Sequence, residues 1–115
     1  MKTKKLFALF ALPLLAAFSA APAFAETWKN VALVDTMCSS KVKDNPDAHT
    51  TKCAITCQKS GFGIFTSDGK YLKFDEAGNK KALELLKSTS KADHVRVNVT
   101  GEQSGDQIAV KSVTL

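Results

Sequence analysis

The 115-residue chain contains no C-x-x-C pair and no C-x-x-C-H sequence, which excludes a thioredoxin-like redox motif and covalent haem attachment. It has no apolar run long enough to cross a bilayer as a helix. Leu6 to Phe18 is uncharged and broken only by Pro13, but it is about 13 residues long where a span needs ~20. Lysines are interspersed with acids and form no basic stripe, so nucleic acid is not an expected partner. No nucleophile, base and oxyanion set can be assembled, and the chain is not expected to be an enzyme. Internal repeats and low-complexity tracts are also missing.

The N-terminus reads as a cleavable signal peptide over residues 1–25. Lys2, Lys4 and Lys5 precede the apolar run, and Ala23-Phe24-Ala25 offers small residues at the two positions a signal peptidase reads. The alternative site at Ser19-Ala20-Ala21 would leave Pro22 just after the cut. No cysteine follows either site, so no lipid or other membrane anchor is expected after cleavage. The predicted product is a single domain over residues 26–115, about 90 residues, working in the periplasm or as a secreted protein. The three leading lysines contribute to the formal net charge of +5; without them the balance is about +2, a mixed solvated surface.

Along that domain, Trp28 to Thr36 carries Val31, Leu33 and Val34 and reads as a first strand. Residues 39–50 are polar, contain the turn signal Asn45-Pro46-Asp47 and read as a loop. Thr51 to Ser60 suits a short cysteine-bearing helix with Thr50 or Thr51 as cap and Gly61 to end it. Two strands, 61–65 and 70–74, flank an Asp68-Gly69 hairpin. Glu76 to Ser88 is the clearest helix, with Asp75 or Asn79 as cap and Ala82, Leu83, Leu85 and Leu86 on its apolar face. Val95, Val97 and Val99 alternate with Arg96, Asn98 and Thr100, as a half-buried strand requires. Ile108 and Val110 continue the pattern after a turn, and the phase slips before Val113 and Leu115, which predicts a bulge. Five strands with a helix between the third and fourth predict a mainly β, five-stranded OB-like barrel, whose closure removes exposed edges.

One resemblance follows from these residues. Asp35-Thr36-Met37-Cys38, then Cys53-x-x-x-Cys57 leading to Ser60-Gly61, then Asp68-Gly69-Lys70, then Gly105-Asp106-x-Ile108-x-Val110-x-Ser112-Val113 resemble a group of small exported bacterial proteins of unknown function. The resemblance implies an OB-like barrel and an exported location, and no activity.

The chemistry concentrates in Cys38, His49, Cys53 and Cys57. Three cysteines and a histidine are a ligand set for tetrahedral zinc, and thiolates also suit copper(I). Cys53 and Cys57 on a helix would hold their β-carbons ~5–6 Å apart, too wide for a comfortable disulfide but tolerable for a shared metal. The competing expectation is a disulfide from Cys38 to Cys53 or Cys57, as oxidising compartments favour. One cysteine would then remain free, on a stapled barrel that binds a protein or small ligand without metal. Asp35 either ends the first strand or orients a ligand histidine from behind. Met37 either joins a copper site or packs as an apolar side chain. His94, beside Asp93, reads as a surface residue. Trp28, Phe62 and Tyr71 read as core packing rather than as a stacking platform.

Overall fold

A computed structural model describes residues 25–115. The signal-peptide reading, apart from Ala25, lies outside the described residues. Five strands close into a barrel in the order β1-β2-β3-β5-β4. They are β1 (Glu26–Asp35), β2 (Phe62–Phe65), β3 (Tyr71–Phe74), β4 (Arg96–Ser104) and β5 (Gln107–Thr114). Neighbours are antiparallel except β3 and β5, which run parallel. Helix α3 (Glu76–Ser88) lies between β3 and β4 in sequence, as the OB-like arrangement requires. Two shorter helices, α1 (Ser39–Val42) and α2 (Thr51–Thr56), lie in the β1–β2 connection. Among the described residues no helix is long and apolar enough to cross a membrane.

The core follows from strand alternation. Val31 and Leu33 of β1, Phe62 and Ile64 of β2, Leu72 and Phe74 of β3, Val97 and Val99 of β4, and Ile108 and Val110 of β5 form one buried cluster. Ala82 and Leu86 of α3 join it, with Leu83 and Leu85 packed at its edge. Asp75 caps α3, its side chain accepting from the Gly78 amide at 3.0 Å. Asn79, the other candidate cap, instead accepts from the Phe62 amide at 2.8 Å and ties the helix to β2. The predicted phase slip is a bulge: Thr100 pairs with Ser112 but Gly101 pairs with Val110, leaving Lys111 as the extra residue. A second irregularity lies in β1 between Trp28 and Val31, where Asn30 takes a φ of 54°.

The β1–β2 connection departs from the expected plain loop and two- to three-turn helix. Ser39–Val42 forms a helical turn and Pro46–Ala48 a 3₁₀ turn. The predicted helix stops at Thr56, Cys57 takes a non-helical ψ of 23°, and a 3₁₀ turn over Gln58–Ser60 completes the segment. Gly61, with φ of 85°, then turns the chain into β2, a conformation that costs glycine nothing. Thr50 caps α2 as expected, accepting from the Cys53 amide at 3.1 Å. Ala54 is the residue α2 buries, so little apolar contact holds this helix. Its start is fastened instead by the Thr51 amide and hydroxyl, which donate to the carbonyls of Ala92 (2.8 Å) and Lys91 (2.7 Å).

The aromatic residues settle into packing roles. Phe62 is buried, Trp28 packs against the cluster, and Tyr71 stacks obliquely on Phe65 with ring centroids 5.1 Å apart. The Tyr71 hydroxyl donates to the Val34 carbonyl at 2.9 Å and lies 3.1 Å from the Thr36 hydroxyl. Met37, by contrast, is 64% exposed and fills no core position.

Candidate metal centre

Side chains two apart on a strand share a face. Asp35 therefore continues the row of Val31 and Leu33, and its cross-strand partner is Phe62, a core residue. An apolar side chain is the ordinary occupant of such a position. Asp35 is the only buried charged residue among the described residues, with 0% exposure. Burying an unpaired carboxylate is costly, so its oxygens must find donors. Oδ2 accepts from the Cys38 amide at 3.0 Å, and Oδ1 lies 2.6 Å from Nε2 of His49. Asp35 thus ends β1, as one of its two expected roles has it, and its carboxylate also contacts the His49 ring.

His49 reaches this carboxylate because its loop is fastened on the far side. Its own amide donates to the Pro46 carbonyl at 3.1 Å and closes the 3₁₀ turn. Within that turn, Asp47 accepts two bonds from Arg96 of β4, and its carbonyl accepts from the His94 amide at 2.9 Å. The His49 side chain is 8% exposed. Cys38 follows β1 in a turn closed by the Ser39 amide and hydroxyl, which donate to the Thr36 carbonyl at 3.2 and 2.8 Å.

The result is a three-residue group. One ligand atom each from Asp35, Cys38 and His49 lie within 4.8 Å of one another. Burial pushes the Cys38 thiol up from its ordinary value, and the Asp35 carboxylate and the neighbouring Cys57 thiol push in the same direction. A site that resists forming a thiolate beside a carboxylate is one that a cation, proton or metal, would stabilise.

Of the four residues singled out in the sequence as ligands, Cys38 and His49 come together, with Asp35 as the third member. Cys57 is half-buried and near enough to Cys38 to add to the upward push on its thiol. Cys53 is exposed on α2, away from the group. All three thiols are free. His94 is exposed and bonded to Asp93, as a surface residue should be. The sequence signal for Asp35 was its phase: a charge in register with Val31 and Leu33 demands buried partners.

No family model, curated protein or solved structure matches the chain.

Proposed function

We propose that this protein is a non-enzymatic, exported binding protein that holds a zinc or copper ion through Cys38 and His49. Asp35 serves as third ligand or as the carboxylate that orients the imidazole. The observation that carries the reading is the convergence of carboxylate, thiol and imidazole donors at the end of β1. Such mixed oxygen, sulfur and nitrogen donors suit zinc, whose bonds to them run ~2.0–2.3 Å. Copper(I) prefers sulfur, and the Cys57 thiol beside Cys38 supplies a second one. Carboxylate–histidine pairs are a common way to fix the tautomer and orientation of a ligand ring. Export is supported by the sequence of residues 1–25.

The same three residue types also make up thiol nucleophile sites, which work on a substrate held in an adjoining pocket. Two surface depressions, of about 480 and 330 Å³, are lined by other residues.

The test compares wild type with His49→Ala. Each is melted with zinc, with copper(I) under reducing conditions, and with chelator, alongside intact mass spectrometry in native and denaturing solvent. Expected are a native-only metal mass and a metal-dependent rise in Tm that His49→Ala largely removes, because stabilisation by a ligand follows occupancy. If metal raises neither Tm, the reading is lost. An equal rise in both removes His49 from the ligand set.

A further inference from the structure

His49 sits between two anchors on one distant stretch of chain. Residues 39–50 contribute no side chain to the apolar core, so packing alone does not place the ring. After His49, the Thr51 amide and hydroxyl donate to the Ala92 and Lys91 carbonyls. Before it, the Asp47 carbonyl accepts from the His94 amide at 2.9 Å, and the Asp47 carboxylate accepts two bonds from Arg96, at 3.0 and 2.9 Å. Arg96 is held in turn against β1: its Nη1 donates to the Asn30 carbonyl at 2.6 Å, and beside it the Leu33 amide donates to the Val95 carbonyl at 3.0 Å. Asn30 and His94 each have a φ of 54°, and among the described residues they are the only non-glycine residues with positive φ. Left-handed backbone costs free energy in a residue with a β-carbon, and such conformations gather at functional sites. Each of these two presents a backbone group to the junction, the Asn30 carbonyl to Arg96 and the His94 amide to Asp47.

Resting on the metal reading above, we propose that Arg96 and Asp47 are positioning residues for the ion: their pair holds the His49 ring on Asp35 before the metal arrives, and so sets how tightly the site binds. Neither belongs to the group of donors itself. A loop that is already ordered loses little freedom when a ligand binds, so affinity rises without any new contact. The shape of the guanidinium matters as well as its charge. Its planar fork meets both carboxylate oxygens at once, which a lysine ammonium does not match. With Arg96 39% and Asp47 25% exposed, the pair adds only modestly to overall stability. Its larger effect is geometric, on a ring two residues from Asp47.

The experiment uses the full processed chain, reduced and metal-free, with Arg96→Gln, Asp47→Asn, the two combined, and Arg96→Lys. Gly78→Ala, on α3, serves as a destabilised control outside the site. Zinc affinity is read by competition against a chromophoric chelator, at a temperature where circular dichroism shows each protein folded. Hydrogen exchange of the His49 amide, which donates to the Pro46 carbonyl, is followed by NMR without metal. Arg96→Gln and Asp47→Asn should each weaken zinc binding about tenfold, and together no more than either alone, because they act as a unit. Arg96→Lys should recover part of the loss, and Gly78→Ala should bind as wild type does. The His49 amide should exchange faster in Arg96→Gln and Asp47→Asn than in Gly78→Ala. Wild-type affinity in Arg96→Gln, or an equal loss in Gly78→Ala, overturns the proposal, and additive losses overturn the joint action of the two residues. Wild type that binds no zinc overturns the metal reading and the effect on affinity with it. Amide exchange then judges the positioning by itself, and equal exchange in wild type and Arg96→Gln overturns that as well.

Discussion

Arg96 grips Asp47 through two parallel bonds, Nε to Oδ1 at 3.0 Å and Nη2 to Oδ2 at 2.9 Å, and its Nη1 donates to the Asn30 carbonyl at 2.6 Å. One guanidinium therefore joins β4, the irregularity in β1 and the loop that delivers His49. The hydrogen bonds from Arg96 hold the Asp47 carboxyl below its ordinary value of 3.8, against the opposing effect of burial. A lowered carboxyl stabilises the fold fully above that value, and the contribution disappears as pH falls through the lower folded value. Both partners are partly exposed, so the pair should contribute only about 0.5–1 kcal/mol. Stability measured by urea titration from pH 6 down to pH 2 should show an acid-side loss that Asp47→Asn reduces. An identical acid limb in the variant would show that the pair carries none of it.

Removing the buried carboxylate is the more severe change. Asp35→Ala strips the Cys38 amide and the His49 ring of their partner and should cost about 2–3 kcal/mol. Asp35→Asn keeps an acceptor for one of them and should cost less. Denaturation midpoints of the two metal-free variants check the order; equal midpoints would mean that the carboxylate charge, and not the hydrogen bonds, dominates.

The strand faces of β4 are open to a paired test. Val97 is 1% exposed within the core, and Val97→Asp should be severely destabilising, by about 3 kcal/mol or more. Arg96→Asp removes the grip on Asp47 and sets like charges together, a cost of about 1–2 kcal/mol. Coincident melting of the two would reverse the assignment of inner and outer faces.

Tyr71 is the single tyrosine of the chain, so its ionisation can be followed by absorbance alone. Burial pushes its phenol far up from the ordinary value of 10.0, opposed in part by the Thr36 hydroxyl. A raised folded value means that the stabilisation is whole below the unfolded pKa and is lost as pH rises above it. The phenolate absorbance should therefore appear together with loss of circular dichroism, well above pH 10. Titration near pH 10 in a chain that stays folded would contradict the burial of this ring.

Helix α3 lies so close to the sheet that a methyl group at Gly78 would come within 2.5 Å of Val110 Cγ2 and 2.9 Å of the Phe74 β-carbon. Alanine improves helix propensity by up to ~1 kcal/mol, whereas overpacking costs ~1–3 kcal/mol. Gly78→Ala should thus lower stability on balance, and a raised Tm would show that α3 can shift outward at little cost.

Local pattern was enough for most of the barrel. The alternation of Val95, Val97 and Val99, the apolar face of Glu76–Ser88, its Asp75 cap and the slip that becomes the bulge at Lys111 all depend on residues near one another in the chain. Short-range periodicity reports which side of an element is buried, and five strands with one helix in that order leave few ways to close a sheet. The β1–β2 connection was less legible. Its polar composition carries no period, and the start of α2 and the 3₁₀ turn over Pro46–Ala48 are held by contacts to Ala92, Lys91 and Arg96, which lie 40 or more residues away.

The candidate site divides along the same line. Sequence alone singled out Cys38, His49, Cys53 and Cys57, because thiol and imidazole side chains carry their chemistry wherever they are placed. Which of them meet was a tertiary decision. Arg96, reaching from β4, sets the loop that brings His49 onto Asp35, and Asp35, at the end of the ladder between β1 and β2, also holds the Cys38 amide. Cys53, one helical turn away, is left facing solvent. Spacing along a chain fixes distances only within a single regular element; across a 3₁₀ turn, a helix cap and a barrel edge, the distances are set by the partners that each buried polar group must find.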